Sequence, residues 1–479
     1  MEKKNEAITS RDVDFAKWYT DVCRKADLMD YYSVKGFIDY LPYSYAIWEE
    51  IQNYMNRRFK ENGAENVYVP MVIPASLFNK EKEHVEGFAP ECLVATIGGG
   101  ETLSDPLIIR PTSEVVFSEL FKKRVTSYRD LPIRYNQWCS VVRWEKTTRP
   151  FLRGAEFLWQ EGHCLFETEE EARKNTIDML HVYNDCGRDL LAIPFIVGRK
   201  TESEKFAGAK ETYTIEALMH DGKALQSGTS HYLGQGFAKS SGVQFLGRQS
   251  VLETPYQTSW GVSTRLLGAI IMVHGDDNGL VLPPYVAPIQ VVIVPVRMQT
   301  PGVLEACHKL FEEIKALGIR VKLDDDDNRT PGWKFAQYEM KGVPLRIEIG
   351  PRDLEKGEAI LTKRVNSEKT AVKLDTLASL LPQILKDIHE TMYQKALENL
   401  NAHITDVSSL EEMNDVLNTK GGFVRMAYDG SAPSEAEIKS KTNGATARCL
   451  YQRLPEDTSL RCPVSGKQAK VIAYFARAY

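Results

Sequence analysis

The stretch RWEKTTRPFLRGAEFLWQEGH, residues 143–163, places charged and aromatic side chains in two strand-like runs on either side of a loop. The runs NQWCSVVRWE and AEFLWQEGHCLF are rich in aromatic and β-branched residues, whereas the bridge KTTRPFLRG contains the proline and glycine of a loop. Alternate side chains of a strand share a face. We therefore expect Arg143 to share a face with Glu145, and Phe157 with Trp159, Glu161 and His163. Such faces suit the floor of a binding site; the alternative is a structural hairpin with paired charges.

The bulk composition describes an ordinary globular protein. The chain has 479 residues, 43% of them hydrophobic and 26% charged, which predicts two or three domains. The net charge of −5 means that any nucleic-acid contact must come from local basic patches. No apolar run approaches the ~20 residues of a membrane helix, and the polar N-terminus lacks the apolar region of a secretory signal. The eight cysteines are scattered without a CxxC pair, which suits a reducing cytoplasm.

The hydrophobic pattern changes along the chain. Residues 1–285 read as a mixed, largely antiparallel unit, and the proline-rich LPPYVAPIQ closes it. Strands and helices then alternate through residues 286–400, which predicts a compact α/β domain with a largely parallel sheet. Residues 401–479 combine short elements into a small α+β unit.

Several motifs supply complementary charges. In RPTSE (110–114), the Thr112 hydroxyl and the Glu114 carboxylate could hold a cationic amine. Arg143 and Arg153 suit a phosphate or a carboxylate, because the guanidinium fork makes bidentate contacts. In GVSTRLLG, Arg265 lies at a predicted helix start, where backbone N–H groups already favour anions.

These motifs together resemble class II aminoacyl-tRNA synthetases. Arg-x-Glu, a loop, Arg-x-x-x-Phe and a later Gly-x-x-x-Arg are similar to the second and third motifs of that class, and residues 45–73 with Pro70 to the first. RPTSE, FLWQEGH, GTSHYLGQ, PGWKFAQYEMKGVPLRIEIGPRD and the terminal FARAY resemble prolyl-tRNA synthetases of the archaeal and eukaryotic type, from about residue 15 onward. The resemblance implies an antiparallel-sheet catalytic domain (1–285), an α/β anticodon-binding domain (286–400) and a small α+β C-terminal domain (401–479).

The resemblance also implies a reaction and its partners. We expect ATP-dependent attachment of L-proline to tRNA(Pro) through a prolyl-adenylate, with release of AMP and pyrophosphate and with Mg²⁺ accompanying ATP. Family positions that bind proline match Phe88, Thr112, Glu114, Arg143, Trp159, Glu161, His163 and His231. Positions that bind ATP match Arg143, Glu145, Arg153, Phe157, Gln226, Thr229, Ser263 and Arg265. Arg143 and Arg265 would stabilise the transition state, Gln226 would also contact Mg²⁺, and His231 is either a general base or, as we favour, a positioning group.

Candidates for reading anticodon bases are Glu339, Arg346 and Arg352, because arginine and glutamate can pair with guanine edges. The alternative interpretation is that these three residues only form a solvated face of a helix and a strand. The first-motif segment implies a homodimer, and we expect Ile47, Ile51, Val69 and Pro70 to need a partner surface.

Two absences are informative. Only about ninety residues separate the second and third motifs, which leaves no room for the large editing insertion of the bacterial-type enzyme. Many relatives bind Zn²⁺ through four cysteines in the last domain, but residues 426–446 contain no Cys or His, and Cys462 is followed by Ser465 where a thiolate would be needed. We therefore expect no structural Zn²⁺, a tail held by apolar packing, and a terminal Tyr479 that reaches back to the catalytic domain.

Two other functions remain open from the sequence. A catalytically silent paralogue that only binds tRNA would usually have lost a substrate or phosphate group, yet Thr112, Glu114, Arg143, His231 and Arg265 are all present. A class II enzyme for threonine or serine is disfavoured by the FLWQEGH pocket residues.

Overall fold

The structure, a computed structural model, describes residues 8–80 and 92–479. The described elements up to residue 274 are, in chain order, α1 (Phe15–Lys25), β1 (Met29–Tyr31), β2 (Ile38–Tyr40), α2 (Pro42–Glu61), β3 (Glu65–Asn66), β4 (Val72–Pro74), α3 (Ala75–Lys80), β5 (Leu93–Gly98), β6 (Glu101–Ile109), α4 (Glu114–Arg124), β7 (Ile133–Val142), β8 (Glu156–Phe166), α5 (Glu169–Cys186), β9 (Ile196–Arg199), β10 (Glu211–Leu218), β11 (Ala224–Gly234), α6 (Gly236–Ser241), β12 (Phe245–Leu246), β13 (Leu252–Glu253), β14 (Tyr256–Ser263) and α7 (Arg265–His274).

A seven-stranded sheet organises this first part of the chain. Its strand order is β3-β7-β8-β14-β11-β10-β9, and its pairs are antiparallel except β3 with β7. One face packs on helices, where the ring of Trp260 lies over Gly162 of the neighbouring strand. A Cβ atom at Gly162 would lie 2.1 Å from that ring, so only glycine fits there. The opposite face is left for polar side chains.

Helix α5 shows how local sequence anchors this sheet. Its N-cap Thr168 accepts from the Glu171 N–H, and the Glu171 carboxylate accepts in return from the Thr168 N–H, which forms a capping box. Thr176, Met179 and Tyr183 form a buried stripe at helical spacing. The helix therefore covers the core side of the sheet.

The environment of helix α2 shows that the expected exposure of its apolar side chains was wrong. Ile47 and Ile51 are 3% and 0% exposed and lie in the main hydrophobic core, and Val69 is also buried. The helix presents its apolar stripe to the chain's own core, so these side chains need no partner surface. The short strands β3 and β4 follow this helix, and Pro70 between them is exposed.

The next domain is an α/β sandwich. Its elements are β15 (Val291–Pro295), α8 (Val303–Ala316), β16 (Val321–Leu323), α9 (Pro331–Met340), β17 (Leu345–Ile349), α10 (Pro351–Glu355), β18 (Glu358–Lys363), β19 (Lys369–Lys373) and α11 (Leu374–Ala402). The sheet order is β16-β15-β17-β18-β19. The first three strands are parallel, but β18 pairs antiparallel with both neighbours, so the expected largely parallel sheet is mixed. The physical reason is connection length: parallel neighbours need a crossover of a dozen or more residues, and residues 364–368 are too few.

The last domain is a small α+β unit with elements β20 (Ile404–Asp406), α12 (Leu410–Thr419), β21 (Phe423–Tyr428), α13 (Ala432–Lys441), β22 (Thr446–Arg453) and β23 (Val471–Ala476). Its sheet has the order β20-β21-β23-β22 and packs its own core. It docks on the seven-stranded sheet through the chain end: Ala224 N–H donates to the Arg477 carbonyl at 2.8 Å, and Tyr479 N–H donates to the Ala224 carbonyl at 3.1 Å. Over the described ranges, we find no helix with the length and apolarity to cross a membrane.

Candidate active site

The polar face of the seven-stranded sheet forms the floor of a cavity of about 230 Å³. The cavity is lined by Phe157, Trp159, Glu161 and His163 of β8, which confirms that these four side chains share a face. The register places Ser259 opposite His163, and His231 opposite Ser259. Three neighbouring strands, β8, β14 and β11, thus bring their alternate residues together in one place.

A carboxylate lies at one side of this floor. Glu114 is the first residue of α4 and is 7% exposed, and the Thr112 hydroxyl donates a hydrogen bond to it. A negative charge in the first turn of a helix is favoured by the unpaired N–H groups there. Glu114 and Thr112 both line the cavity, so a cationic ligand could reach this carboxylate.

A second carboxylate, Glu161, is held by the protein itself. It accepts from Gln137 Nε2 at 2.6 Å and from Ser113 Oγ, and its other oxygen lies 2.9 Å from His163 Nε2. Burial disfavours the charged forms of both residues, but the hydrogen bond and charge of each partner outweigh it, so the pKa of Glu161 is lowered and the pKa of His163 is raised. The result is a buried ion pair that shapes the pocket, whereas Glu114 remains the carboxylate offered to a ligand.

His231 is a neutral group. Its Nδ1 lies 2.9 Å from the Thr212 hydroxyl. Burial, with the nearby positive charges of His163 and Lys200, lowers the pKa of His231 to about 3. A histidine with so low a pKa is a poor proton acceptor near neutral pH, so the environment favours a positioning role over general-base catalysis.

Two arginines face the cavity from different elements. Arg143 follows β7, which ends at Val142, and so lies in the loop rather than on the strand with Glu145 as expected. Its Nε donates to the Pro111 carbonyl at 3.0 Å, and its guanidinium lies 5.3 Å from the ring centroid of Phe157. These contacts fix the side chain beside the stacking ring, so its charge is placed before any anion arrives.

Arg265 begins α7 at the other side of the floor. Its Nε donates to the Leu152 carbonyl at 2.9 Å and its Nη1 to the Gln226 carbonyl at 3.1 Å. Burial, and then the charges of Arg153 and Arg143, lower its pKa to about 10, so it stays charged near neutral pH. The cluster of guanidiniums makes this side of the cavity a site for polyanions.

The other predicted nucleotide contacts divide into two groups. Gln226, Thr229 and Ser263 line the cavity. Glu145 and Arg153 lie outside its lining, in the loop between β7 and β8, where Arg153 Nη1 is 3.7 Å from Glu145 Oε2. Phe88 lies outside the described residues.

Sequence reasoning missed several groups of the site, among them Glu204 and Ser259 of the cavity lining. Ser113 and Gln137 hold Glu161; Lys200, Phe206 and Thr212 line the cavity, and the Phe206 ring lies 4.7 Å from the His231 ring. The signal for Thr212 was in the sequence, because ETYTIEALM alternates polar residues on one face of β10. Lys200 follows β9 with no such periodicity.

The three anticodon candidates lie on separate elements of the α/β domain. Glu339 is near the end of α9, where its carbonyl accepts from Arg364 Nε at 2.9 Å. Arg346 on β17 donates to Glu348 Oε1 at 2.9 Å and lies 4.2 Å from the Phe335 ring centroid. Arg352 on α10 is exposed.

Where relatives are expected to hold zinc, the last domain has a hydrogen-bonded cluster. The Asp429 carboxylate accepts from Ser465 Oγ at 2.7 Å and from Ser434 Oγ at 3.1 Å, and Cys462 Sγ lies 3.8 Å from Ser434 Oγ. One thiol and one carboxylate supply at most two of the four ligands of tetrahedral zinc, and neutral hydroxyls are not among the thiolate, imidazole or carboxylate ligands it takes. Across residues 8–80 and 92–479, no three His, Cys, Asp or Glu side chains are grouped to hold a metal.

Comparisons with known proteins agree on all three parts of the chain. Residues 100–274 match the class II core domain of tRNA synthetases (G, H, P, S and T), residues 290–384 match an anticodon binding domain, and residues 410–479 match the C-terminal domain of prolyl-tRNA synthetase. Proline--tRNA ligases of Lachnoclostridium phytofermentans and Ruminiclostridium cellulolyticum are 54% and 55% identical, each covering 99% of this chain and 98% of the relative. The proline--tRNA ligase of Clostridium novyi is 52% identical over the full length of both chains.

Proposed function

This chain belongs to the prolyl-tRNA synthetase family, and from that premise we propose which of its residues carry the reaction. The reaction attaches L-proline to tRNA(Pro) in two steps. A proline carboxylate oxygen attacks the α-phosphorus of ATP, and the bond to the bridging oxygen breaks to release pyrophosphate. The terminal ribose hydroxyl of the tRNA then attacks the carbonyl carbon of prolyl-adenylate and releases AMP.

The observation that carries the assignment is one cavity with opposite charges on different elements. Glu114 is available for the secondary ammonium of proline, because Glu161 is already satisfied by its own donors. Arg143 and Arg265 suit the carboxylate and the α-phosphate, where charge builds during attack. Phe157 offers its ring to the adenine between Arg143 and Arg265, and Trp159 closes the compartment for the proline ring.

The remaining roles follow from position. Thr112, His163 and His231 shape the proline end, and Arg153, Thr229 and Ser263 the nucleotide end; Glu145 would accept from the adenine amino group. Class II synthetases use Mg²⁺ with ATP, and Gln226 supplies an amide oxygen, the hard ligand type that Mg²⁺ takes besides water and phosphate. When bound, the ion neutralises phosphate charge. Arg143 and Arg265 align the proline carboxylate with the α-phosphorus.

ATP–pyrophosphate exchange with each of the twenty amino acids tests this assignment. Proline should support efficient exchange, with weak activity from alanine or cysteine, because a pocket cannot strongly reject a near-isostere. Faster exchange with threonine or serine would refute the proline pocket. No exchange with any amino acid in a folded protein would instead support a silent paralogue.

We further propose an archaeal- and eukaryotic-type architecture. Domains at 1–285, 286–400 and 401–479 are supported by three hydrophobic clusters, each built mainly from one part. Val286, Ala287 and Met340 join the first cluster and Ala192 and Val281 the second, so the first two parts also pack on each other. The segment between β8 and β14 supplies α5, β9, β10, β11 and α6 around the catalytic sheet, which leaves no room for an editing domain. Rapid hydrolysis of Ala-tRNA(Pro) by the chain would contradict this proposal.

The same family premise supports three finer proposals. In the α/β domain, Glu339, Arg346 and Arg352 are candidates for reading anticodon bases; Arg352→Ala should raise the KM for tRNA without changing pyrophosphate exchange. We place the enzyme in the cytoplasm, where charged tRNA is used. We also propose that the last domain needs no Zn²⁺, because hydrogen bonds to Asp429 join the segments that a metal would otherwise hold.

Of the four side chains first expected at the interface of the proposed homodimer, Pro70 is exposed and the other three are buried. Tyr68 and Met71, in the loop between β3 and β4, are 67% and 44% exposed, and Ile97 on β5 is 66% exposed. These large apolar groups flank the three-stranded sheet β4-β6-β5. A second copy of the chain is the occupant that the family's first motif suggests.

A further inference from the structure

The last domain inserts one arginine into the wall of the catalytic domain. Arg448 on β22 is 6% exposed, although it lies on a small domain at the surface of the molecule. Its Nε lies 3.1 Å from Glu216 Oε2, and its Nη2 lies 3.0 Å from the same oxygen and 3.3 Å from Oε1. The two residues are 232 positions apart, so this contact exists only when the last domain is docked.

Glu216 is a buried carboxylate beside the substrate cavity. It is 0% exposed, lies opposite Gln226 in the β10–β11 pair, and accepts from the Thr214 hydroxyl at 2.9 Å. Its charge also acts on Arg265, whose pKa it raises against the effect of burial. A fully buried carboxylate is tolerated only when paired and hydrogen-bonded, and Arg448 supplies most of that pairing.

The second cation near Glu216 is Lys200, which also lines the cavity. Its Nζ lies 3.5 Å from Glu216 Oε1, farther than the closest arginine contacts, and the side chain is 3% exposed. An ammonium has three donors, and the long contact with Glu216 engages at most one well. Burial lowers the pKa of Lys200, and the charges of Glu216 and of Glu204, which also lines the cavity, oppose that shift. The remaining donors suit an anion in the cavity.

We infer that Arg448 is a positioning residue for the adenylation site: it occupies Glu216 and thereby keeps the Lys200 ammonium available to a substrate anion. The anion is a carboxylate or a phosphate, supplied by proline or by ATP. Without the arginine, Glu216 would become the nearest strong partner of Lys200 and draw it away from the cavity. The inference rests on the site assignment proposed above and makes the last domain part of adenylate formation.

The alternative is that the ion pair only docks the last domain. Loss of docking would reduce the folded or active fraction, which lowers the apparent kcat but leaves KM unchanged. Loss of Lys200 positioning raises KM for the substrate that carries the anion, because the arginines that act on the α-phosphate are untouched. The split between KM and kcat therefore separates the two roles.

The experiment measures ATP–pyrophosphate exchange by full-length Arg448→Met, with proline and ATP varied in turn. We expect KM for proline or for ATP to rise about tenfold or more, the loss typical of a hydrogen bond between charged groups, with a much smaller change in kcat. The substrate whose KM rises identifies the anion. Arg425→Met is the matched control, because Arg425 makes a bidentate contact with Asp406 inside the same domain; its KM values should stay unchanged.

Three further variants decide the mechanism. In a Lys200→Met background, Arg448→Met should raise KM no further, since both act through one ammonium. Arg448→Met combined with Glu216→Gln should restore KM, because the competing charge is gone, and this pair also avoids an unpaired buried charge if the single variant does not fold. The KM of Arg448→Lys should lie between the KM values of the parent protein and of Arg448→Met.

Unchanged KM values in Arg448→Met, additive losses with Lys200→Met, or no recovery in the double variant would each overturn the inference. Wild-type exchange with proline separates this failure from a failure of the proposed function. If the parent protein catalyses ATP–pyrophosphate exchange with proline and Arg448→Met has the same KM values, the proposed role of Arg448 is refuted and the proposed function is not.

Discussion

Replacing Arg143 with alanine should abolish adenylate formation without unfolding the protein. In the fold, the contacts of this side chain include a hydrogen bond to the Pro111 carbonyl and ring contacts with Phe157 at 5.3 Å and Trp159 at 5.5 Å. A hydrogen bond from a charged group contributes about 1.5–3 kcal/mol and each ring contact about 0.5–1 kcal/mol. Their loss leaves part of the ~5–15 kcal/mol of a typical domain, so the variant should fold.

The rate of adenylate formation should fall by more than the loss of stability suggests. Arg143 faces both the proline carboxylate and the α-phosphate in the proposed site, so alanine removes a charge that the transition state needs. Removing one preorganised donor costs about 10²–10³-fold in rate, or about 2.7–4 kcal/mol. We therefore expect pyrophosphate exchange to fall by at least about 100-fold.

Exchange at saturating proline and ATP, with a melting curve for each variant, measures both effects. Arg143→Lys keeps the charge but not the guanidinium fork, and should recover only part of the rate. Arg248→Ala is the matched control: this arginine is in the same domain and makes a bidentate contact with Glu167 at 2.7 and 2.8 Å, but does not line the cavity. Near-normal exchange by folded Arg143→Ala would refute the reasoning and return the hairpin to a structural role.

Four further outcomes are expected. Glu114→Gln should raise the KM for proline about 10- to 100-fold and change the KM for ATP little. Pyrophosphate-exchange kinetics measure both KM values. Equal increases for the two substrates would argue against an ammonium site at Glu114. The pKa of His163 is raised above 6.5 and that of Glu161 lowered below 4.5, so their pair stabilises the fold most between these values. The melting-temperature gap between parent and Glu161→Gln should therefore narrow as pH rises through the raised pKa of His163, and also as pH falls through the lowered pKa of Glu161; a gap independent of pH would contradict the charged pair. Tyr68→Lys should shift the mass measured by light scattering from dimer to monomer, and a parent protein that is an active monomer at micromolar concentration would exclude the dimer. Elemental analysis should find no stoichiometric zinc, whereas about one zinc per chain that is lost in Cys462→Ala would show a metal site after all.

The sequence predicted the elements of the fold better than their pairing. The alternation in FLWQEGH placed Phe157, Trp159, Glu161 and His163 on one face, and the cavity confirms it. The hydrophobic runs of the α/β domain indicated strands but not their directions, because an apolar run marks a buried strand without identifying its neighbours in the sheet.

Most contacts between residues distant along the chain could not be predicted from local sequence patterns. The apolar stripe of α2 was assigned to a subunit interface because periodicity identifies a buried face, not what covers it. Ile47 and Ile51 in fact meet the chain's own core. In the same way, no local pattern joins Arg448 to Glu216 or marks Lys200 as a cavity residue; such contacts come from the docking of whole domains.

The strand order of the catalytic sheet also determines when the sheet can be completed during translation. Strand β8 pairs with β14, yet about 90 residues separate the end of one from the start of the other. At about 5–20 residues per second, a ribosome needs about 5–20 s to deliver the missing strand. During that interval the β7–β8 hairpin has an unpaired edge and uncovered aromatic rings, which are features that favour aggregation. The newly made chain is therefore expected to depend on chaperones most strongly while its central strand is still being translated.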